Sequence, residues 1–84
     1  MARKKAPATE AALYSPGQVC EITGVSRQVL HNYTVIGLVR PAKRTPTNRR
    51  YYDAAALRRV RLVRRMIESG YTLQALREMF PWDR

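Results

Sequence analysis

Between Ser15 and Phe80, a residue able to cap a helix opens each stretch of helical apolar spacing, and glycines close three of those stretches. That punctuation confines the chain to four helices. Ser15 precedes Pro16 and stands three residues before Gln18, the pattern of a capping box with proline at the first helical position. The first helix is expected to carry Val19, Cys20 and Ile22 inward and to end near Thr23, with Gly24 in left-handed geometry and Val25 buried in the turn. Ser26 caps a second stretch, "SRQVLHNYTVIG", in which Val29, Leu30, Tyr33 and Ile36 recur every three or four residues and Gly37 marks the end. Asp53 opens a longer third helix with a stripe of Leu57, Val60, Val63, Met66 and Ile67, closed by Gly70. Thr72 opens a fourth, directing Leu73, Leu76 and either Met79 or Phe80 inward before Pro81 stops it.

The stretch from Leu38 to Tyr52, "LVRPAKRTPTNRRYY", breaks the helical rhythm. Two short extended pieces flank a turn bearing proline and asparagine, as in an antiparallel hairpin, and Pro41 confines its piece to an edge. Arg40, Lys43, Arg44, Arg49 and Arg50 crowd this hairpin, so its tip is strongly positive. The expected fold is mainly α: a winged helix-turn-helix of four helices with a two-stranded wing hairpin, spanning residues 14–80. Residues 1–13, with Arg3, Lys4 and Lys5 among small residues and Pro7, offer no apolar face and are expected to form a flexible basic tail. Residues 81–84 form a short C-terminal tail that includes Trp82.

Charge narrows the function. The formal net charge is +10. Seven of the arginines fall between Asn48 and Arg65. Like charge at that density favours a polyanionic partner, and nucleic acid leads. An anionic membrane is the weaker alternative, because the apolar stripe of the basic third helix is required by the core, no apolar run approaches a bilayer span, and no signal-peptide core is present. A cytoplasmic, nucleoid-associated location is expected. One cysteine, Cys20, excludes an internal disulfide and a cysteine-only metal site, and it reads as a small apolar core residue. With one histidine and six carboxylates, no nucleophile–base pair or metal cluster emerges, so neither catalysis nor a cofactor is expected.

The motifs "YSPGQVCEITGVSRQVLHNY", "IGLVRP", "RRYY" and "ESGYTLQALREMF", in this order, resemble the winged helix-turn-helix DNA-binding domain of the MerR family of transcription regulators. The resemblance implies that the second helix enters the major groove, that the wing grips the flanking backbone, and that an arginine followed by tyrosine on the wing's return strand holds phosphate. Carried to this chain, it places Ser26, Arg27, Gln28, His31 and Asn32 toward double-stranded DNA, leaves Tyr33 to pack or touch backbone, and gives Arg50 and Tyr51 the phosphate. The basic wing residues Arg40, Lys43, Arg44 and Arg49 are expected on phosphate as well. Arginine binds guanine edges, while Gln28 or Asn32 could read adenine, each at about 1–3 kcal/mol of discrimination. His31 reads equally well as a base reader or a solvent-facing residue, and one of the pair Tyr51 and Tyr52 is expected to pack while the other faces out. The Arg58 to Arg65 cluster is expected to be a solvated face with partial backbone contact.

This chain departs from the family pattern where Gln28, His31 and Asn32 stand in place of the usual arginine, arginine and tyrosine, and Asn48 stands where the wing commonly has glycine. The long coiled-coil helix and effector-sensing domain typical of the family have no counterpart among these 84 residues, which fits either an excised domain or a stand-alone binder. No metal effector is therefore expected at Cys20, and homodimerisation is expected to be weak or DNA-dependent, or replaced by a protein partner. Two other roles compete: an architectural factor like the phage excisionases, which share a similar winged fold, and a protein-interaction adaptor docking through the last helix and Trp82.

Overall fold

The computed structural model describes residues 12–80. The tails expected over residues 1–13 and 81–84 thus fall almost wholly outside the described residues, as does Trp82. The elements run α1 (Pro16–Thr23), α2 (Arg27–Val35), β1 (Lys43–Arg44), β2 (Arg50–Tyr51), α3 (Ala54–Glu68) and α4 (Leu73–Met79). Helix α1 packs on both α2 and α3, and α4 leans on α3. Four helices with a two-stranded antiparallel hairpin make the expected winged helix-turn-helix.

Each helix begins as its capping residue dictates. The Ser15 hydroxyl accepts from the Gln18 backbone N–H at 3.2 Å, and the Gln18 side chain accepts from the Ser15 N–H at 2.9 Å, so two otherwise orphaned donors are satisfied. Ser26, Asp53 and Thr72 accept from the backbone N–H three residues on. At the end of α1, Gly24 adopts φ 85° and its N–H donates to the Cys20 carbonyl. Helix α2 stops at Val35, two residues before Gly37, because the chain turns there to send the Leu38 and Val39 N–H groups back to the Tyr33 carbonyl.

The core gathers Val19, Leu30, Tyr33, Leu38, Val39, Tyr52, Leu57, Val60, Val63 and Leu76. Leu38 and Val39 are fully buried, so the segment expected to start the hairpin belongs to the core instead, and the paired strands shrink to two residues each with Pro41 ahead of β1. Cys20, Met66 and Ile67 are only partly buried against the core, whereas Ala54 and Ala56, small enough to escape an apolar-stripe reading, lie fully inside. The fourth helix corrects one expectation: Met79 (48 % exposed) and Phe80 (37 %) both face out. A helix of seven residues presents one deep position to its neighbour, and Leu76 fills it.

Two of the crowded arginines are structural. The Arg64 guanidinium donates to the Thr23 carbonyl at 2.5 Å, capping the C-terminal end of α1 across 41 residues of sequence, and its Nε donates to Glu68 at 3.2 Å. Arg59 donates from Nε to the Leu38 carbonyl at 2.9 Å and from its guanidinium to the Phe80 carbonyl. Arginine suits both tasks, because its planar fork serves carbonyls in two directions while its stem lies along apolar surface. The expected solvated face therefore keeps the exposed Arg61 and Arg65, while Arg59 and Arg64 hold the start of the wing, the end of α4 and the helix turn in place.

Candidate nucleic-acid interface

The turn between α1 and α2 sets the recognition helix on the surface of the core. Leu30 and Tyr33 anchor α2 from beneath, so Arg27, Gln28, His31 and Asn32 emerge on the opposite, exposed side. Tyr33 is 5 % exposed, and burial pushes its phenol pKa up, a shift that Arg64 opposes and Glu68 reinforces. The structure thus gives Tyr33 the packing role of its two expected alternatives and removes it from the exposed face.

The wing is tied to the same surface by Tyr52. Its side chain is completely buried, its hydroxyl lies 3.0 Å from the Thr34 hydroxyl on α2, and its backbone forms a two-way bridge with Tyr14 ahead of α1. Tyr51, one position back, is half-buried and lines the outer cleft, so the two neighbours point to opposite sides as a strand requires. At the tip, Asn48 sits at φ 67°, in the left-handed region that asparagine tolerates, and the Arg49 N–H donates to the Thr45 hydroxyl.

Recognition helix and wing meet across a cleft. One cavity of about 460 Å³ is lined by Ser15, Pro16 and Gly17 of the α1 start, Arg27 of α2, and Asn48, Arg49, Arg50 and Tyr51 of the wing. A second, of about 300 Å³, is lined by Pro16, Arg27, Gln28, Leu30, His31, Arg50 and Tyr52. Arg27 and Arg50 border both. The start of α1 also adds the positive end of its dipole to this electropositive surface, although its capping box already occupies the Ser15 and Gln18 N–H groups.

The remaining site residues divide. The Ser26 oxygen is committed to the α2 cap, which leaves its hydroxyl proton free to donate. Gln28 donates to the Asn32 side-chain oxygen at 3.1 Å. Lys43, Arg44 and Arg40 are exposed but line neither cavity. Arg44 pairs directly opposite Arg50 in the wing register, a like-charge juxtaposition that costs stability in the free protein and that an anion would relieve.

Sequence reasoning missed Ser15, Pro16 and Gly17 as cleft residues, having read them only as helix initiators. No local signal marked them: the closeness of Gly17 to Arg27, where a Cβ would come within 3.2 Å of the guanidinium, appears only once α1 and α2 are packed together.

Residues 14–81 match the model of the MerR HTH family regulatory proteins. The chain belongs to the MerR family. It is 36 % identical over 62 residues to the nodulation protein NolA of Bradyrhizobium elkanii, covering 74 % of this chain and 28 % of NolA. It is 38 % identical over 66 residues to the transcriptional activator mta of Bacillus subtilis, covering 79 % of this chain and 26 % of mta. This MerR-family chain thus spans about a quarter of the length of those curated relatives. The N-terminal part of the B. subtilis multidrug transporter activator, MtaN, superposes with a TM-score of 0.74 at 35 % identity over 84 % of this chain and 67 % of that one. HiNmlR, a MerR-family regulator lacking the sensor domain and bound to promoter DNA, shares the fold with a TM-score of 0.73 at 20 % identity, over 81 % of this chain and 54 % of that one. The fold is that of the DNA-binding domain of MerR-family transcription regulators, and no helix among the described residues is long and apolar enough to cross a membrane.

Proposed function

We propose that this domain binds double-stranded DNA sequence-specifically, with α2 in the major groove and the wing on the flanking phosphates, as the DNA-reading part of a transcription regulator at the nucleoid. The observation that carries this reading is the shared cleft: Arg27 and His31 on the recognition helix and Arg49 and Arg50 on the wing open toward one another, so one duplex can meet both elements. Arg27, Arg49 and Arg50 supply phosphate contacts together with the Ser26 hydroxyl, while Gln28, His31 and Asn32 face base edges. Arg44 joins through its place opposite Arg50, and Arg40 and Lys43 extend the positive field along the wing.

A second chain at the end of α4 is favoured by the exposed Met79 and Phe80, which suit either a second copy of the domain or a protein partner. Selection of bound duplexes from a random pool, with the mass of the complex measured alongside, tests both parts. A defined enriched motif supports specific reading, and a symmetric motif with two protomers in the complex supports a DNA-dependent dimer. A pool that shows no enrichment, or binding that single strands match, overturns the docking.

A further inference from the structure

Arg27 and Gln28 are neighbours at the start of α2, yet they are aimed differently. The Arg27 guanidinium lies over the α1 start, close enough to Gly17 that a Cβ there would approach it to 3.2 Å, and it borders the cleft on the wing side. Gln28, exposed on α2, is absent from that cavity and borders only the second one, and it donates from Nε2 to the side-chain oxygen of Asn32, one turn on, at 3.1 Å. Glutamine loses considerable side-chain freedom when it is fixed, so a partner at i+4 that holds it beforehand lowers the cost of a directional contact.

The direction of that hydrogen bond decides which groups Gln28 has left. With one Nε2 hydrogen donated to Asn32, one N–H and the Oε1 acceptor remain. In the major groove adenine offers an acceptor, N7, beside a donor, the N6 amino group, which matches this pair. Guanine offers two acceptors, N7 and O6, and would set its O6 against Oε1.

We infer that Gln28, oriented by Asn32, reads an adenine in the major groove, while Arg27 is assigned to the backbone and reads no base. This rests on the docking proposed above and deepens it by naming the base and dividing the labour. Gln28 is the reading residue, and Asn32 is a positioning residue acting through it.

The test uses the full chain and the duplex enriched by random-pool selection. Wild-type protein is expected to require adenine at one position per bound domain, with a preference of about fivefold or more over the other bases. Replacing that adenine by 7-deazaadenine, which lacks the N7 acceptor, should cost a similar factor with wild type and nothing with Gln28→Ala. Asn32→Ala should weaken the preference at that same position, whereas Asn32→Asp, which keeps an oxygen acceptor for Nε2, should restore it while lowering affinity for every sequence alike. Guanine at the selected position, adenine preference surviving in Gln28→Ala, or Asn32→Asp behaving as Asn32→Ala would overturn the inference. A protein that binds duplex with a steep salt dependence but no preferred base also overturns it while leaving the docking intact, whereas failure to bind duplex defeats both. Both positions are exposed, and matched melting curves would confirm that the variants fold.

Discussion

The location of charge, rather than its amount, should decide how binding responds to salt. Arg27 and Arg50 border both cavities of the cleft, whereas Arg61 and Arg65 are exposed on α3 and line neither. Replacing either pair by alanine lowers the formal net charge from +10 to +8, so the two double variants are matched in bulk electrostatics. Each phosphate contact contributes about 0.9 to the slope of log affinity against log salt, so loss of two contacts should flatten the slope by about 1.8. Between 50 and 200 mM salt that difference amounts to about a twelvefold change in how much affinity is lost. Fluorescence anisotropy of a labelled duplex across that range would measure it. The Arg27→Ala, Arg50→Ala double variant should show the flattening for specific and random duplexes alike, and the Arg61→Ala, Arg65→Ala variant should keep nearly the wild-type slope. Equal slopes for the two double variants would refute the argument, because they would make the cleft no more important than any other basic surface.

Other outcomes concern the frame that holds the cleft. Gly24→Ala meets two penalties, a φ of 85° and a Cβ only 2.6 Å from the Arg64 guanidinium that caps α1; a loss of about 1–2 kcal/mol from the backbone alone should lower the melting temperature by several degrees, and more if Arg64 is displaced. Tyr52→Phe removes the hydroxyl pairing with Thr34, while Thr34 keeps its bond to the Leu30 carbonyl, so denaturant titration should show a loss of only about 0.5–1.5 kcal/mol. Leu76→Ala empties the one deep position of α4 and should cost about 2–5 kcal/mol. Burial raises the pKa of both the Cys20 thiol, against the pull of Arg27, and the Tyr33 phenol. Folding thus favours the neutral forms, and the stability these groups contribute is complete at neutral pH and falls as pH rises past the ordinary thiol and phenol range of about 8.5–10, which melting curves between pH 7 and 11 would reveal.

Much of this architecture was legible in the chain because the signals were local. A serine, threonine or aspartate before an apolar period fixes a helix start through backbone N–H groups within three residues, and all four starts among the described residues fall where their caps stand. Tertiary demands were harder to see. The reach of Arg64 to Thr23 and of Arg59 to Leu38 joins residues 41 and 21 positions apart, and nothing in arginine's identity distinguishes these two from their solvated neighbours. Leu38 and Val39 read as strand because β-branched and apolar residues beside a turn suit a strand, yet the core claimed them. At the interface, the exposed faces of α2 followed from its period. The role of the α1 start did not, because it depends on how α1 is set against the wing.

The central claim is that recognition helix and wing lie against one duplex. Titrating isotopically labelled protein with the selected duplex and following backbone amide resonances tests this most directly. Amides from Arg27 to Asn32 and from Asn48 to Tyr51 should shift together, at one stoichiometry, while those of Arg61, Leu62 and Arg65 on the outer side of α3 stay in place. Shifts confined to α3, or a wing that remains unperturbed while α2 saturates, would contradict the account.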